Sequence, residues 1–154
     1  MTRATAKPRL SCTVVVLDAG WPKALPGVDR LVRKAARAAA RRGRSLNVAL
    51  ADDRQVRALN KRHANKDKPT NVLSYLSGEK DFLGDIVLAR QTVWREAVAQ
   101  KKTPGDHVAH LVVHGVLHLL GHDHERGEAE AERMEALERR ILKRLGIADP
   151  YAVR

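Results

Sequence analysis

Residues 103–124 of the chain read TPGDHVAHLVVHGVLHLLGHDH, a pattern that predicts a helix ending in a glycine turn. Thr103 stands where a helix N-cap accepts a backbone hydrogen bond. Pro104 suits the first helical position, because the N–H that proline lacks has no partner there. Gly121 favours the left-handed backbone that ends a helix and turns the chain. We therefore expect a helix over residues 104–120 and a turn directly after it.

The histidines at the end of this predicted helix have the spacing of a metal site. His114 and His118 are four residues apart, so on a helix they lie one above the other on the same face. The turn at Gly121 brings either His124 or His122 back as a third ligand, and we favour His124. Three imidazoles that leave one position open are typical of catalytic zinc, so we expect one zinc ion per chain. Imidazoles also accept other divalent metals.

Two further histidines, His107 and His110, fall on roughly the same face of the predicted helix. One helix cannot present side chains spread over about eight positions to a single ion, because that span is about 12 Å long. Only the pair His114 and His118 is followed by a glycine turn with further histidines. We therefore interpret His107 and His110 as core or interface residues.

The same histidine spacing occurs in one class of zinc proteases, and the difference from that class is informative. In those proteases a glutamate follows the first histidine and acts as the general base. Here that position is Gly115, and the nearest acids, Asp123 and Glu125, come after the predicted helix. A peptidase is therefore disfavoured. Any hydrolysis would rely on the metal, which lowers the pKa of bound water to about 7.

Length and composition indicate one domain. A chain of 154 residues with 44% hydrophobic content is long enough for one core and short for two, so we expect a single domain over residues 1–154. Cys12 is the one cysteine, which excludes an internal disulfide and a cysteine-rich zinc cluster and fits a cytoplasmic setting. No apolar stretch has the length of a leader or a membrane span.

The net charge of +11 is concentrated in the first half of the chain. Through Thr70 there are 17 Lys and Arg against five Asp and Glu, and after it 12 against 13. Residues 28–42 predict an amphipathic helix whose basic face carries Arg30, Arg33, Arg37 and Arg41. A solvated face usually mixes signs of charge, and this one has only Asp29 to balance it. A polyanionic partner is therefore expected, and nucleic acid is the leading candidate.

Aromatic residues are few, which limits the mode of nucleic-acid binding. The chain has only two Trp, two Tyr and one Phe. Stacking platforms for single strands need several exposed rings on one surface. Binding should therefore depend on phosphate contacts, with little sequence preference and a steep loss of affinity as salt rises.

The remaining pattern predicts an α+β fold with a small mixed four-stranded sheet and about five helices. The metal site would lie on the histidine helix and the following turn. The predicted strands cover residues 12–17, 46–50, 72–76 and 85–89. The predicted helices cover residues 28–42, 52–62, 91–101, 104–120 and 128–145.

Three ordered motifs together resemble the YbeY family of zinc-dependent endoribonucleases. They are the histidine segment, KDKPTNVLS at residues 66–74 and LGDIV at residues 83–87. The resemblance implies that the zinc ligands are His114, His118 and His124. It also implies an enzyme that cuts single-stranded RNA in late 16S rRNA 3′-end maturation. The partners it implies are ribosomal RNA, the small ribosomal subunit, its proteins and assembly GTPases, with no membrane.

One position departs from the family pattern. The family usually has an aromatic residue, arginine and glycine just before KDKPT, and that arginine is implicated in activity. Here the triplet is His63-Ala64-Asn65. A cation stabilises a phosphate that gains charge in the transition state. Arg62 is our candidate for this catalytic role, with Lys61 and Lys66 as alternatives, and Lys66 and Lys68 join the candidate RNA-binding residues.

Three hypotheses follow from the sequence. The first is a metal-dependent endoribonuclease, with Asp85 and Asp123 as candidates to orient the ligands. The second is a zinc-containing ribosome-assembly or RNA-binding factor with weak or no catalysis, which the missing arginine favours. The third is another zinc hydrolase such as a peptidase, which Gly115 and the basic first half oppose.

Overall fold

An open four-stranded sheet with helices on both faces carries the histidine helix. The computed structural model describes residues 8–40, 42–64, 70–122 and 127–152. The strands are β1 Ser11–Val16, β2 Ser45–Ala51, β3 Val72–Leu76 and β4 Phe82–Ala89. The helices are α1 Gly20–Ala24, α2 Val28–Ala39, α3 Asp53–Ala64, α4 Arg90–Ala99, α5 Pro104–Leu119 and α6 Glu128–Arg144.

The sheet has the strand order β1-β2-β4-β3. The first three of these strands are parallel, and β3 runs antiparallel to β4. The predictions of an α+β class and of a mixed four-stranded sheet are therefore confirmed.

The two faces of the sheet carry different helices. Successive residues of a strand point to opposite sides, so the contacts of β4 show which helix lies on each face. Ile86 and Leu88 of β4 belong to the larger core, into which α2 and α5 pack. Val87 and Ala89 of the same strand belong to a smaller cluster with Val56 of α3. α3 therefore lies on the opposite face of the sheet from α5.

α5 is the central helix of the larger core. It contacts α2, α4, α6, β3 and β4, and ten of its 16 residues are buried. Each large apolar side chain buried in this way stabilises the fold by roughly 1.5–3 kcal/mol. Within the described ranges, neither this helix nor any other combines the length and the apolar character needed to cross a bilayer.

Both predicted ends of the histidine helix are present. The hydroxyl of Thr103 accepts a hydrogen bond from the backbone N–H of Asp106 at 3.1 Å, as an N-cap does. At the other end Gly121 has a φ of 102°, and the N–H of His122 donates to the carbonyl of Leu117 at 3.0 Å. The glycine turn thus starts where the sequence predicts it.

α2 ends at Ala39, earlier than the predicted residue 42. Ala40 is already extended, and Gly43 donates its N–H to the carbonyl of Pro8 at 2.8 Å. The chain leaves the helix here because it must reach the start of β2 beside β1. Arg41, the last predicted member of the basic face, lies outside the described residues.

The first helix, α1, was not predicted, and with it the described residues contain six helices. It has five residues, which is too short for an amphipathic repeat to be visible. Its Trp21 is fully buried, and the indole N–H donates to the carbonyl of Ala51 at 2.7 Å. The carboxylate of Asp18 accepts the N–H of Gly20 at 3.0 Å. One local hydrogen bond and one to a distant strand residue therefore hold this helix.

Candidate metal centre

His114 and His118 lie one turn apart in the second half of α5. Nδ1 of His114 is 2.5 Å from Oε1 of Glu138, and Nδ1 of His118 is 3.0 Å from the carbonyl oxygen of His122. Both partners are acceptors, so Nδ1 carries the proton in each ring. In a neutral imidazole the lone pair then lies on Nε2, the arrangement found in metal-binding histidines whose other nitrogen is held. The chemistry of these two side chains fits a metal.

Glu138 of α6 is a fully buried carboxylate behind His114. It also accepts hydrogen bonds from Nε2 of His110 at 3.2 Å and from the hydroxyl of Tyr151. Burial alone raises the pKa of a carboxyl group, but the hydrogen bonds from His110, His114 and Tyr151 outweigh it and lower the pKa of Glu138 to about 2. The ionised carboxylate therefore holds the His114 ring in one orientation.

Glu138 was missed by the sequence analysis, although a signal for it exists. It lies four residues after Met134 and three before Ile141, and all three side chains are buried on the apolar side of α6. A charged residue at such a position requires a buried partner. The hydroxyl of Tyr151 is one such partner, because it donates a hydrogen bond to Glu138. Burial, together with the negative charge of Glu138, raises the pKa of its phenol well above the ordinary value.

His107 and His110 lie in the first half of α5, and their side-chain hydrogen bonds are made by Nε2 instead of Nδ1. Nε2 of His107 is 2.9 Å from Oε1 of Glu96, while Nε2 of His110 faces Glu138. His107 is 2% exposed, and burial lowers its pKa against the opposing effect of Glu96. His107 is therefore buried and His110 half-buried, and each is hydrogen-bonded to a carboxylate.

The predicted third ligand, His124, lies outside the described residues, as does Asp123. The alternative ligand, His122, is described. Its carbonyl oxygen holds His118, and its own Nδ1 is 3.9 Å from Oε1 of Glu130. In the described part of the chain no group of three or more metal-binding side chains comes together. This part therefore contributes His114 and His118, the groups that orient them, and the alternative ligand His122.

Gly115, in the position of the protease glutamate, lies where α5 packs against Ile86 of β4. A Cβ atom at residue 115 would be 2.9 Å from Cδ1 of Ile86 and 3.2 Å from its Cγ1. Contacts this short force a neighbour or the helix to move. A glutamate at this position would point into the core, which gives a physical reason why the protease arrangement is not available.

Two other polar candidates show no contact with the histidines. Asp85 of β4 accepts a hydrogen bond from Nδ2 of Asn47 on β2 at 3.0 Å. Arg62 is exposed near the end of α3, on the other face of the sheet, and makes no hydrogen bond or ion pair with a described residue. The catalytic role of Arg62 therefore stays a prediction.

The basic side chains of α2 lie beside the edge strand β1. Nε of Arg33 donates to the carbonyl of Cys12 and Nε of Arg37 to that of Leu10, each at 3.3 Å. These bonds cover backbone acceptors in the edge strand β1 and directly before it. A cleft of about 470 Å³ adjoins them, and its basic residues are Arg9, Arg30, Arg33, Lys34, Arg37 and Arg42. Lys66 and Lys68 lie outside the described residues.

The amino-acid sequence is similar to one family along most of its length. A family model described as Endoribonuclease YbeY matches residues 25–146. An Endoribonuclease YbeY of Azorhizobium caulinodans is 49% identical, over 91% of this chain and 95% of that protein. One from a Chelativorans species is 46% identical, over 96% of each. One from Novosphingobium aromaticivorans is 47% identical, over 89% of this chain and 93% of that protein.

A solved structure is similar in fold. The solution structure of a protein from Thermotoga maritima matches with a TM-score of 0.58, covering 92% of this chain and 99% of that chain. Its sequence is 21% identical, so this similarity concerns the fold alone.

Proposed function

This chain belongs to the YbeY family of endoribonucleases, and we propose that it is a zinc-dependent enzyme that cuts single-stranded RNA in late 16S rRNA 3′-end maturation. As a member of this family it is a hydrolase of RNA phosphodiester bonds. The observation that best supports metal dependence is the pair His114 and His118. Each ring has Nδ1 held by an acceptor, which leaves on Nε2 the lone pair that a metal would bind.

We assign His114, His118 and His124 as the three zinc ligands, with one ion per chain. When bound, zinc supplies Lewis-acid chemistry, because it polarises a phosphoryl oxygen and acidifies water. The carboxylate of Glu138 orients the ring of His114, and the backbone carbonyl of His122 orients the ring of His118. This prior orientation supports metal affinity, since ligand rings that are already held lose less freedom on binding.

Arg62 is our candidate for the cation beside the reacting phosphate. The family arginine corresponds to Ala64 here, so another cation has to meet the charge that develops on the phosphate. If Arg62 has this role, Arg62→Ala slows cleavage and leaves bound zinc unchanged. Unchanged cleavage by this variant would remove Arg62 from the mechanism and turn attention to Lys61 and Lys66.

The basic first half of the chain is proposed to hold the RNA by its phosphates. The candidate contacts are Arg30, Arg33, Arg37, Arg41, Lys66 and Lys68. Trp21 is fully buried, and the half-buried Trp94 packs edge-to-face with it at a centroid distance of 5.3 Å, so neither ring suits base stacking. Binding is therefore expected to show little sequence preference and a strong dependence on salt.

The wider setting of the reaction is also a proposal. We expect a single domain over residues 1–154 that works in the cytoplasm. Its proposed partners are ribosomal RNA, the small ribosomal subunit, the proteins of that subunit and assembly GTPases.

A second function is a ribosome-assembly or RNA-binding factor with little catalysis of its own. The observations that favour it are the alanine at residue 64 and the lack of any contact between Arg62 and the described histidines. In this case zinc would hold the glycine turn in place rather than act on RNA.

One experiment separates the two functions. Purified, zinc-quantified protein is incubated with single-stranded RNA from the 3′ end of small-subunit rRNA, and the wild type is compared with His114→Ala and His118→Ala. We expect cleavage by the wild type and none by either variant. His124→Ala and His122→Ala form a matched pair for the third ligand, and only His124→Ala should lower bound zinc.

The outcomes point in different directions. RNA binding without metal-dependent cleavage would support the assembly factor. Cleavage that persists after zinc is removed would contradict the proposed enzyme mechanism. Loss of zinc in His122→Ala but not in His124→Ala would mean that His122, and not His124, is the third ligand. Thermal unfolding of each variant without metal shows whether it remains folded.

A further inference from the structure

A second cleft adjoins the basic cleft beside α2. Its volume is about 590 Å³, and it lies where the end of α2 meets the C-terminal parts of α5 and α6. Ala38 and Ala40 line both clefts, so the two are direct neighbours. The second cleft adds Arg44, Arg140 and Arg144 to the six basic residues of the first. We call these nine residues together the basic track.

The charge of the second cleft is not compensated by the described residues. Every charged side chain that lines it there is an arginine, and none of the three forms an ion pair with a described carboxylate. Arg140 and Arg144 are four residues apart, so they lie on one face of α6. Arg133 of the same helix differs, because it pairs with Glu130 at 2.8 Å. The arginines of α6 that face the cleft are therefore available to an anion.

The second cleft also reaches the glycine turn beside the candidate metal centre. Leu117, Leu120 and His122 line it, and they belong to the end of α5 and the glycine turn. The carbonyl of His122 is the group that holds the metal ligand His118. A polyanion that lies in this cleft is therefore next to the turn that supports the predicted catalytic centre.

The chemistry of the cleft fits a single-stranded nucleic acid. Arginines line it together with apolar side chains, among them Leu120 and Leu137, both partly exposed. Phosphates suit the arginines, and apolar side chains suit the faces of bases that are not stacked in a duplex. An acidic peptide would match the charge without using the apolar surface.

We propose that the basic track is the path of the RNA strand, and that Arg44, Arg140 and Arg144 bind the phosphates nearest the metal centre. The strand passes from the cleft beside α2 across Ala38 and Ala40 and reaches the glycine turn. This inference rests on the proposed ribonuclease function and adds to it a binding site on α6.

The expected effect can be calculated from counterion release. Each phosphate contact of a single strand contributes about 0.7 to the slope of log affinity against log salt. Loss of two contacts therefore reduces the slope by about 1.4 and weakens binding about tenfold at roughly 0.15 M salt.

The test is a binding measurement under conditions in which no cleavage occurs. Arg140→Gln/Arg144→Gln is compared with Lys143→Gln/Arg54→Gln, which removes the same charge from side chains that do not line the track. The full chain is titrated, with chelator present, against an unstructured oligouridylate long enough to span both clefts. We expect the track variant to bind about tenfold more weakly with a shallower salt slope, and the control variant to bind like the wild type within about twofold.

Two results would overturn the inference. In the first, the track variant keeps the affinity and the salt slope of the control variant. In the second, polyglutamate of equal charge binds as tightly as the RNA and loses the same affinity in the track variant, which would point to an acidic protein. Thermal unfolding checks that both variants are folded.

Failure of this inference is distinguishable from failure of the proposed function. The binding measurement uses no metal and no cleavage, so it decides the RNA path even if the wild type cuts nothing. If the wild type cuts RNA and the two double variants bind alike, only the proposed path is wrong.

Discussion

Both halves of α5 carry histidines, but the hydrogen bonds that hold these side chains are made by opposite nitrogens of the imidazole ring. In the first half, His107 and His110 bind carboxylates through Nε2. In the second half, His114 and His118 are held through Nδ1. A ring held at Nδ1 offers Nε2 to a metal, whereas a ring held at Nε2 can offer only Nδ1, and in His107 and His110 that atom is buried. The comparison shows that helical spacing brings histidines to one face, and their hydrogen-bond partners decide which of them suit a metal.

The largest expected effect is a difference in bound zinc between two variants, each with one histidine of one half replaced. His118→Ala removes a proposed ligand, so we expect zinc to fall below one per chain and cleavage to fall to background. His107→Gln should keep its zinc and lose about 1–3 kcal/mol of stability, because a buried polar contact is disturbed. Metal analysis, an RNA cleavage assay and denaturant unfolding measure the three quantities. Equal loss of zinc in both variants would break the comparison.

The hydrogen bond that orients His114 can be weakened without removal of a ligand. Glu138→Gln keeps the size of the side chain but removes the charge behind the ring. Changes of this kind lower metal affinity about 10–100-fold, and a competition titration against a chelator measures it. Glu132→Gln is the control, because Glu132 is exposed on the same helix. An unchanged zinc affinity in Glu138→Gln would mean that this carboxylate does not position the ligand.

The packing between α5 and the sheet can be changed at Gly115. In Gly115→Ala, the new Cβ meets Ile86 at 2.9 Å, and we expect a loss of about 1–3 kcal/mol in the free energy of unfolding. The double variant Gly115→Ala/Ile86→Val should recover part of this loss, because Cδ1 is removed. No recovery would show that the strain lies elsewhere in the helix.

The smallest effect is expected at the start of α5. Thr103→Ala removes the N-cap hydrogen bond to Asp106 and should cost about 1 kcal/mol of stability. Because the cap lies in the half of the helix that holds His107, zinc affinity should not change. Thr103→Ser, which keeps a hydroxyl, is the control. A loss of zinc in Thr103→Ala would show that the two halves of α5 are coupled.

Most of the fold was predictable from local patterns. The mixed sheet, the N-cap at Thr103 and the turn at Gly121 were all expected from the sequence and are present. α1 was not expected, because a helix of five residues carries no periodic signal and depends on the burial of Trp21. The end of α2 was placed too late, because the need to start β2 overrides helix propensity.

The candidate site was predictable in part. The positions of His114 and His118 follow from a spacing of four residues on one helix. Glu138 could not be assigned to them, because it lies on another helix, 24 residues away from His114 in the chain. No sequence pattern links Arg140 and Arg144 to α2, and only the packing of α2 and α6 against α5 brings these arginines to the second cleft of the basic track.

The sequence by itself determined the histidine spacing, the helix with its glycine turn, the concentration of positive charge and the family. These are patterns between residues close in the chain, or sums over it, so no knowledge of packing is needed. The tertiary structure alone decided which nitrogen of each histidine is held and which arginines share a surface. Both depend on contacts between residues far apart in the chain, since buried hydrogen bonds and clefts exist only once helices and strands have packed together.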